Sequence, residues 1–167
     1  MNLHQPMNSY ILIVKMIYEI CTHKAEKSMV DGVVTGDYTD IIDLCDNIDI
    51  IQPSMLSSYE QIATLLHSIV QSEPWYSDSL CPLSTITSCI GKLYSNRFAV
   101  TTIDLSAPLG RSFTQETAIA LYPLLSLANH RCTPNATVVF DGLKATLRAL
   151  QPIHKGEEIT VLSKNEF

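Results

Sequence analysis

The dipeptide Asp141–Gly142 constrains the fold of this chain most, because it lies between two runs of strand-forming residues. Residues 136–140 are rich in β-branched side chains, and residues 143–150 alternate apolar and polar side chains until Pro152. Asp-Gly between two such runs is a strong signal for a tight hairpin turn. We therefore predict two antiparallel strands, over 136–140 and 143–149, joined at Asp141–Gly142.

The hydrophobic period differs before and after Ser95. Apolar residues recur at helical spacing in the first part, which predicts helices near residues 10–21, 41–47, 57–70 and 84–93. Asn8 or Ser9 is the expected N-cap of the first helix. Residues 24–40 are expected to form a loop. The predicted apolar stripe of the third helix is Ile62, Leu65, Leu66, Ile69 and Val70.

The second part of the chain reads as β-structure. Residues 98–103 and 158–162 are further strand candidates, and residues 106–110 are turn-rich. The fold class is therefore predicted as α+β. We expect a helical region over residues 1–95, a β-rich region over 96–163 and a tail over 164–167.

Composition excludes several classes of function. The net charge is −6 and no run of basic residues exists, so direct nucleic-acid binding is not expected. An acidic surface would suit a basic peptide. The apolar run at residues 10–20 contains Lys15 and Glu19 and is too short for a membrane span. Five cysteines without a C-x-x-C pair predict reduced thiols, in the cytosol or the nucleus.

One motif suggests chemistry. Asn129-His130-Arg131-Cys132-Thr133-Pro134-Asn135 is followed, about twenty residues later, by Gly156-Glu157-Glu158-Ile159-Thr160. This order resembles the C-terminal half of a SET domain. The stretch 121–135 is similar to the L-Y-P-S to N-H-S-C-D-P-N block of the SET-and-MYND (SMYD) subfamily, and Asn96-Arg97-Phe98 resembles its N-S-F block. The helical first half resembles the helical insertion of that subfamily.

The resemblance implies a protein-lysine N-methyltransferase that uses S-adenosylmethionine. In the family, the N-H segment threads under a neighbouring strand as a pseudoknot and lines the cofactor pocket. Asn129 and His130 would contact the adenine or methionine end of the cofactor. Asn96 would reach the methionine carboxylate or amino group, and Asn47 would be a fourth contact. Asparagine suits this role because its short side chain supplies both a donor and an acceptor.

The chain also departs from the family pattern. Ser163 stands where the catalytic tyrosine is expected, and neither the G-x-G segment nor the MYND finger is found. Cys132 matches one ligand of a structural zinc whose other cysteines lie in a post-SET segment, so zinc is expected only with that segment, and Cys132 is otherwise expected to be a buried apolar residue. We expect a fragment or truncated form that is inactive alone and binds S-adenosylmethionine weakly or not at all. The alternative is a catalytically inactive SET-like module that binds other proteins.

Simpler structural roles compete for some of these residues. Asn96 is equally compatible with ending the preceding helix, and Asn47 favours a helix-end role. Glu157 and Glu158 are sequence neighbours and would point to opposite faces of a strand, so they could not act as an acid–base pair. They are expected to be charges at the entry to the last strand. Trp75 is expected to pack down as a loop anchor.

Overall fold

The computed structural model describes residues 4–22, 29–30, 33–34, 38–103 and 114–162. These residues form helices and small sheets, so the predicted α+β class is confirmed. The chain divides into two compact units, Met1–Asn96 and Arg97–Phe167. The predicted loop at 106–110, Ser163 and the tail at 164–167 lie outside the described residues.

The first unit is mainly helical. Its elements are α1 (His4–Thr22), β1 (Met29–Val30), β2 (Val33–Val34), α2 (Tyr38–Ile42), α3 (Pro53–Val70) and α4 (Leu83–Asn96). Helix α1 begins before Asn8 and Ser9, so the prediction that one of them is its N-cap was wrong. The predicted loop at 24–40 contains the antiparallel pair β1–β2. Helix α2 ends at Ile42, so the predicted helix over 41–47 was wrong from residue 43 onwards.

Helix α4 packs against both α1 and α3 and forms the centre of the first unit. Its side chains Ile86, Ile90 and Leu93, all predicted for this helix, are fully buried. Burial of each such side chain contributes about 1.5–3 kcal/mol. The predicted stripe on α3 is only partly right, because Leu65 and Ile69 are 58% and 56% exposed. The buried face of α3 consists of Tyr59, Ala63, Leu66 and Val70.

The segment that follows α2 is fastened to α4. The Lys92 ammonium donates to the Ile42 carbonyl at 2.6 Å, and the Ser88 hydroxyl donates to Asp46 Oδ2 at 2.6 Å. Gly91 allows the close approach, because a Cβ atom at this position would lie 2.5 Å from the Asp46 carbonyl oxygen. These contacts fix residues 42–48 on the surface of α4.

The second unit contains two antiparallel pairs. Strand β3 (Arg97–Ile103) pairs with β4 (Thr114–Leu121), and the register shifts between Val100 and Thr101. Residue Thr117 is the extra residue at this bulge, and its hydroxyl donates to the Val100 carbonyl at 3.2 Å. Strand β4 was not predicted from the sequence.

Strands β6 (Ala136–Asp141) and β7 (Lys144–Ala149) form the predicted hairpin, which is confirmed. The turn lies one residue later than predicted, because Asp141 pairs with Lys144 and leaves Gly142 and Leu143 as the loop. Gly142 has a φ of 57°, which glycine adopts without steric cost. The Tyr122 hydroxyl donates to the Leu143 carbonyl at 2.7 Å, so it tethers the turn.

Two short elements complete this unit. Helix α5 (Pro123–Ser126) leads to β5 (Asn129–His130), which pairs in parallel with β8 (Thr160–Val161). Strand β8 is shorter than the predicted strand over 158–162, because the carbonyl of Glu158 is bonded by an Asn135 side chain instead of a neighbouring strand.

Candidate functional site

The motif strand β5 rests on a buried strand. Asn129 lies opposite Thr160 and His130 opposite Val161, and the Arg131 N–H donates to the Val161 carbonyl at 3.0 Å. Thr160 and Val161 are 4% and 3% exposed. The buried residues Thr160 and Val161 therefore support β5, in which Asn129 is exposed and His130 is partly exposed.

Asn135 joins the two halves of the motif. It is 2% exposed, and its Oδ1 accepts from the Thr160 N–H at 2.8 Å and from the Thr160 hydroxyl at 3.3 Å. Its Nδ2 donates to the Glu158 carbonyl at 2.8 Å and to Glu157 Oε1 at 3.4 Å. A buried amide with both ends satisfied stabilises the loop that it spans.

The side chains of Asn129 and Glu158 are hydrogen-bonded. Asn129 Nδ2 donates to Glu158 Oε1 at 2.5 Å, and both side chains are exposed. A carboxylate only accepts hydrogen bonds, so the amide of Asn129 must turn its NH₂ towards Glu158. The carbonyl oxygen of Asn129 then faces away and has no partner among the described residues.

His130 and Cys132 lie side by side. The distance between Cys132 Sγ and His130 Nε2 is 3.6 Å. Cys132 is exposed, so the expectation that it is buried was wrong. The reason is local, because Cys132 lies in the bend after β5, where the chain leaves the buried Val161. Within the described ranges no group of three or more His, Cys, Asp or Glu residues could hold a metal ion. In the part of the chain that the structure describes, His130 and Cys132 thus lack the further ligands that a four-coordinate zinc site needs.

Asn47 and Asn96, the other two predicted cofactor contacts, meet in the first unit. Asn47 Nδ2 donates to the Ser95 hydroxyl at 3.0 Å, and its Oδ1 accepts from the Cys45 thiol at 3.0 Å. Asn96 Nδ2 donates to the Cys45 carbonyl at 2.8 Å and to the Lys92 carbonyl at 2.8 Å. The two asparagines thus bond to each other's chain neighbours.

These contacts bear on the simpler roles. Asn96 is the last residue of α4, as the helix-end interpretation predicted. Asn47 lies in the loop after α2 with a φ of 56°, so it is not a helix-end residue. Asparagine tolerates this left-handed conformation better than most residues. Both ends of the Asn47 amide are bonded within the protein. The carbonyl oxygen of Asn129, in contrast, is not hydrogen-bonded to any residue that the structure describes.

The SET domain family matches residues 9–162. The chain belongs to this family. Histone-lysine N-methyltransferase SMYD3 of Mus musculus is 29% identical over 119 residues, which cover 71% of this chain and 26% of the relative. Histone-lysine N-methyltransferase ASHR1 of Arabidopsis thaliana is 30% identical over 127 residues, which cover 76% of this chain and 23% of the relative. Protein-lysine N-methyltransferase SMYD4 of Homo sapiens is 39% identical over 89 residues, which cover 48% of this chain and 11% of the relative.

The resemblance to SMYD-type SET domains is therefore confirmed. The chain spans about a quarter or less of the length of these relatives. Among the helices that the structure describes, none is long and apolar enough to cross a membrane.

Sequence reasoning missed two residues of the SET motif region. Glu158 and Asn135 were quoted as parts of motifs, but neither was assigned a role at the site. Glu157 and Glu158 both precede β8, which agrees with their interpretation as charges at the entry to a strand. Glu157 Oε2 accepts from the His154 N–H at 3.0 Å, whereas Glu158 binds Asn129. Because two glutamates follow Gly156, the sequence did not indicate which of their carboxylates contacts Asn129.

Proposed function

We propose that this SET domain contributes Asn129 and His130 to the S-adenosylmethionine site of a protein-lysine N-methyltransferase, and that its own affinity for the cofactor is weak. The observation that supports this most is the placement of Asn129 and His130 on a short strand supported by buried Thr160 and Val161. The relatives are named histone-lysine and protein-lysine N-methyltransferases, which agrees with this reaction class.

The finer architecture belongs to the same proposal. Parallel pairing of β5 with β8 supports the interpretation of the Asn129–His130 segment as the pseudoknot strand of the SET domain. The helices of residues 1–95 fit the subfamily's helical insertion, and residues 96–163 fit the C-terminal half. Free cysteines support a reducing compartment, either the cytosol or the nucleus.

The chemistry of the site follows from its donors and acceptors. S-adenosylmethionine supplies a methyl group on a positively charged sulfur, together with an ammonium, a carboxylate and an adenine. The Asn129 carbonyl oxygen is available to accept a hydrogen bond from a ligand, and the Glu158 carboxylate adds a negative charge at the other end of the same amide. Asn47, Asn96 and His130 remain predicted cofactor contacts. Holding the reacting atoms in line is the main contribution that such a site makes to the rate.

A second candidate function is a catalytically inactive SET module that binds other proteins. It is favoured by the sequence, which has Ser163 at the position where the family pattern has its catalytic tyrosine. Serine is too short to occupy the place of a phenol ring. The two candidates differ in methyl transfer, and cofactor binding is compatible with both.

A titration followed by two-dimensional NMR tests the proposal, because it detects binding even when the affinity is only roughly millimolar. S-adenosylmethionine should shift the backbone amides of Asn129 and His130 and the side-chain amide of Asn129 in a saturable manner. Adenosine triphosphate, which shares the adenosine but carries phosphates, is the control ligand. Shifts that are equal for the two ligands, or no saturable shift with S-adenosylmethionine, would contradict the proposal.

A further inference from the structure

The Asn129 side chain has a fixed orientation. An asparagine amide presents a donor at one end and an acceptor at the other, and the two ends have nearly the same shape. The bond of 2.5 Å from Asn129 Nδ2 to Glu158 Oε1 removes this ambiguity, because a carboxylate cannot donate. A neutral partner such as glutamine would accept either orientation.

Glu158 itself is held in place from the interior. Its carbonyl oxygen accepts from Asn135 Nδ2 at 2.8 Å, and Asn135 is almost completely buried. Asn135 in turn is bonded to the N–H of Thr160, the first residue of β8. A chain of contacts therefore runs from the buried strand through Asn135 and Glu158 to the exposed amide of Asn129.

We propose that Glu158 is a positioning residue that determines which group of the ligand Asn129 accepts. By fixing the NH₂ of Asn129, it presents the carbonyl oxygen to the ligand and so selects a group that donates hydrogen bonds. This inference rests on the proposed function and assigns Asn129 to the α-ammonium group at the methionine end of S-adenosylmethionine.

Charge decides between the two donors that the cofactor offers. The adenine 6-amino group is neutral, whereas the α-amino group is protonated at neutral pH. Glu158 holds its negative charge at the NH₂ end of the Asn129 amide, so a cation bound at the carbonyl end still lies within a few bond lengths of a carboxylate. Hydrogen bonds to charged groups are stronger than those between neutral groups, so the pair Asn129–Glu158 favours the ammonium.

The test is a cycle between protein variants and ligands. Three ligands are titrated by NMR: S-adenosylhomocysteine, its analogue with hydrogen in place of the α-amino group, and its analogue with hydrogen in place of the 6-amino group. The proteins are the wild-type chain, Glu158→Gln and Glu157→Gln. Glu157→Gln is the matched control, because Glu157 contacts Asn135 and the His154 N–H but not Asn129.

Removal of the α-amino group should weaken binding to the wild-type chain and to Glu157→Gln by about tenfold. The same removal should matter clearly less in Glu158→Gln, because Asn129 can then turn its amide. Removal of the 6-amino group should have the same effect in all three proteins. A purely structural role of Glu158 would weaken all three ligands alike and leave their ratios unchanged.

The outcomes separate this inference from the proposed function. If the wild-type chain binds none of the ligands, the proposed function fails and the inference fails with it. If the wild-type chain binds and the α-amino effect is equal in Glu158→Gln, only the inference is overturned. The inference is also overturned if Glu158→Gln changes the effect of removing the 6-amino group and not the effect of removing the α-amino group.

Discussion

Asn135 and Thr160 are joined by three hydrogen bonds in the interior of the second unit. The Thr160 N–H donates to Asn135 Oδ1 at 2.8 Å, the Thr160 hydroxyl donates to the same oxygen at 3.3 Å, and the Asn135 N–H donates to the Thr160 hydroxyl at 3.3 Å. These bonds connect the last residue of the N-H-x-C-x-P-N motif with the strand on which its first two residues rest.

Replacement of Asn135 by alanine should destabilise the chain by about 2–4 kcal/mol, because it leaves a buried N–H and hydroxyl of Thr160 without this partner. Urea unfolding measures the change. Thr133→Ala is the matched control, since Thr133 is exposed in the same loop. Equal midpoints for the two variants would show that the bonds from Asn135 do not stabilise the fold.

Gly91→Ala should destabilise the first unit by about 1–3 kcal/mol, although alanine is the better helix former. The added Cβ would lie 2.5 Å from the Asp46 carbonyl oxygen, which is backbone and cannot move aside easily. Ser84→Ala, at an exposed position of the same helix, is the control. Thermal unfolding followed by circular dichroism compares them, and a stabilised Gly91→Ala would contradict the close contact.

The loop after α3 should loosen in acid. His67 Nε2 lies 2.9 Å from Asp78 Oδ1, and Tyr76 also donates to this carboxylate at 3.2 Å. The bond with His67, followed by that with Tyr76, holds the pKa of Asp78 below its usual value of about 3.9. A depressed carboxyl pKa stabilises the fold above the usual value, and this contribution is lost as the pH falls through the lower native value.

Asp78→Asn should therefore reduce stability at neutral pH, and its difference from the wild-type chain should shrink as the pH falls below about 4. Unfolding by urea over a pH series measures this. Glu73→Gln is the control, because Glu73 in the same loop makes no side-chain hydrogen bond to a described residue. A difference that grows in acid would contradict the assigned pKa shift.

The cysteines should differ in their reactivity. Burial is the main cause that raises the pKa of Cys81 to about 12 and of Cys89 to about 11, whereas Cys45 and Cys132 are exposed. Because the thiolate is the reactive form, iodoacetamide should label Cys45 and Cys132 in the native chain and Cys81 and Cys89 only after unfolding. Peptide mass spectrometry identifies the labelled sites. Equal labelling of all four before unfolding would contradict the buried positions of Cys81 and Cys89.

The sequence predicted local structure better than contacts between distant residues. The hairpin of β6 and β7 was predicted because its turn residues and its alternation lie within one short segment. Strand β4 was missed, since Thr114–Leu121 contains Glu, Ala and Leu, which favour helices, and pairing with β3 outweighs that preference. On α3, periodicity alone could not show that the helix buries only one side and leaves Leu65 exposed.

The candidate site shows the same limit. From the motif resemblance, Asn129 and His130 were predicted to contact the cofactor, and Cys132 was matched to a zinc ligand of the family. It did not predict the bond between Asn129 and Glu158, which are 29 positions apart, or those between Asn135 and Thr160, which are 25 apart. These contacts depend on the parallel pairing of β5 with β8, which no local pattern indicates.

The central claim is that Asn129 contacts S-adenosylmethionine, and the affinities of two asparagine variants test it most directly. NMR titration of the cofactor into the wild-type chain, Asn129→Ala and Asn47→Ala gives the three dissociation constants, with the maximal shift of each variant fitted separately. Asn129→Ala should weaken binding by roughly tenfold. Asn47→Ala should weaken it less, because both ends of the Asn47 amide are bonded within the protein. Unchanged affinity in Asn129→Ala would contradict the account.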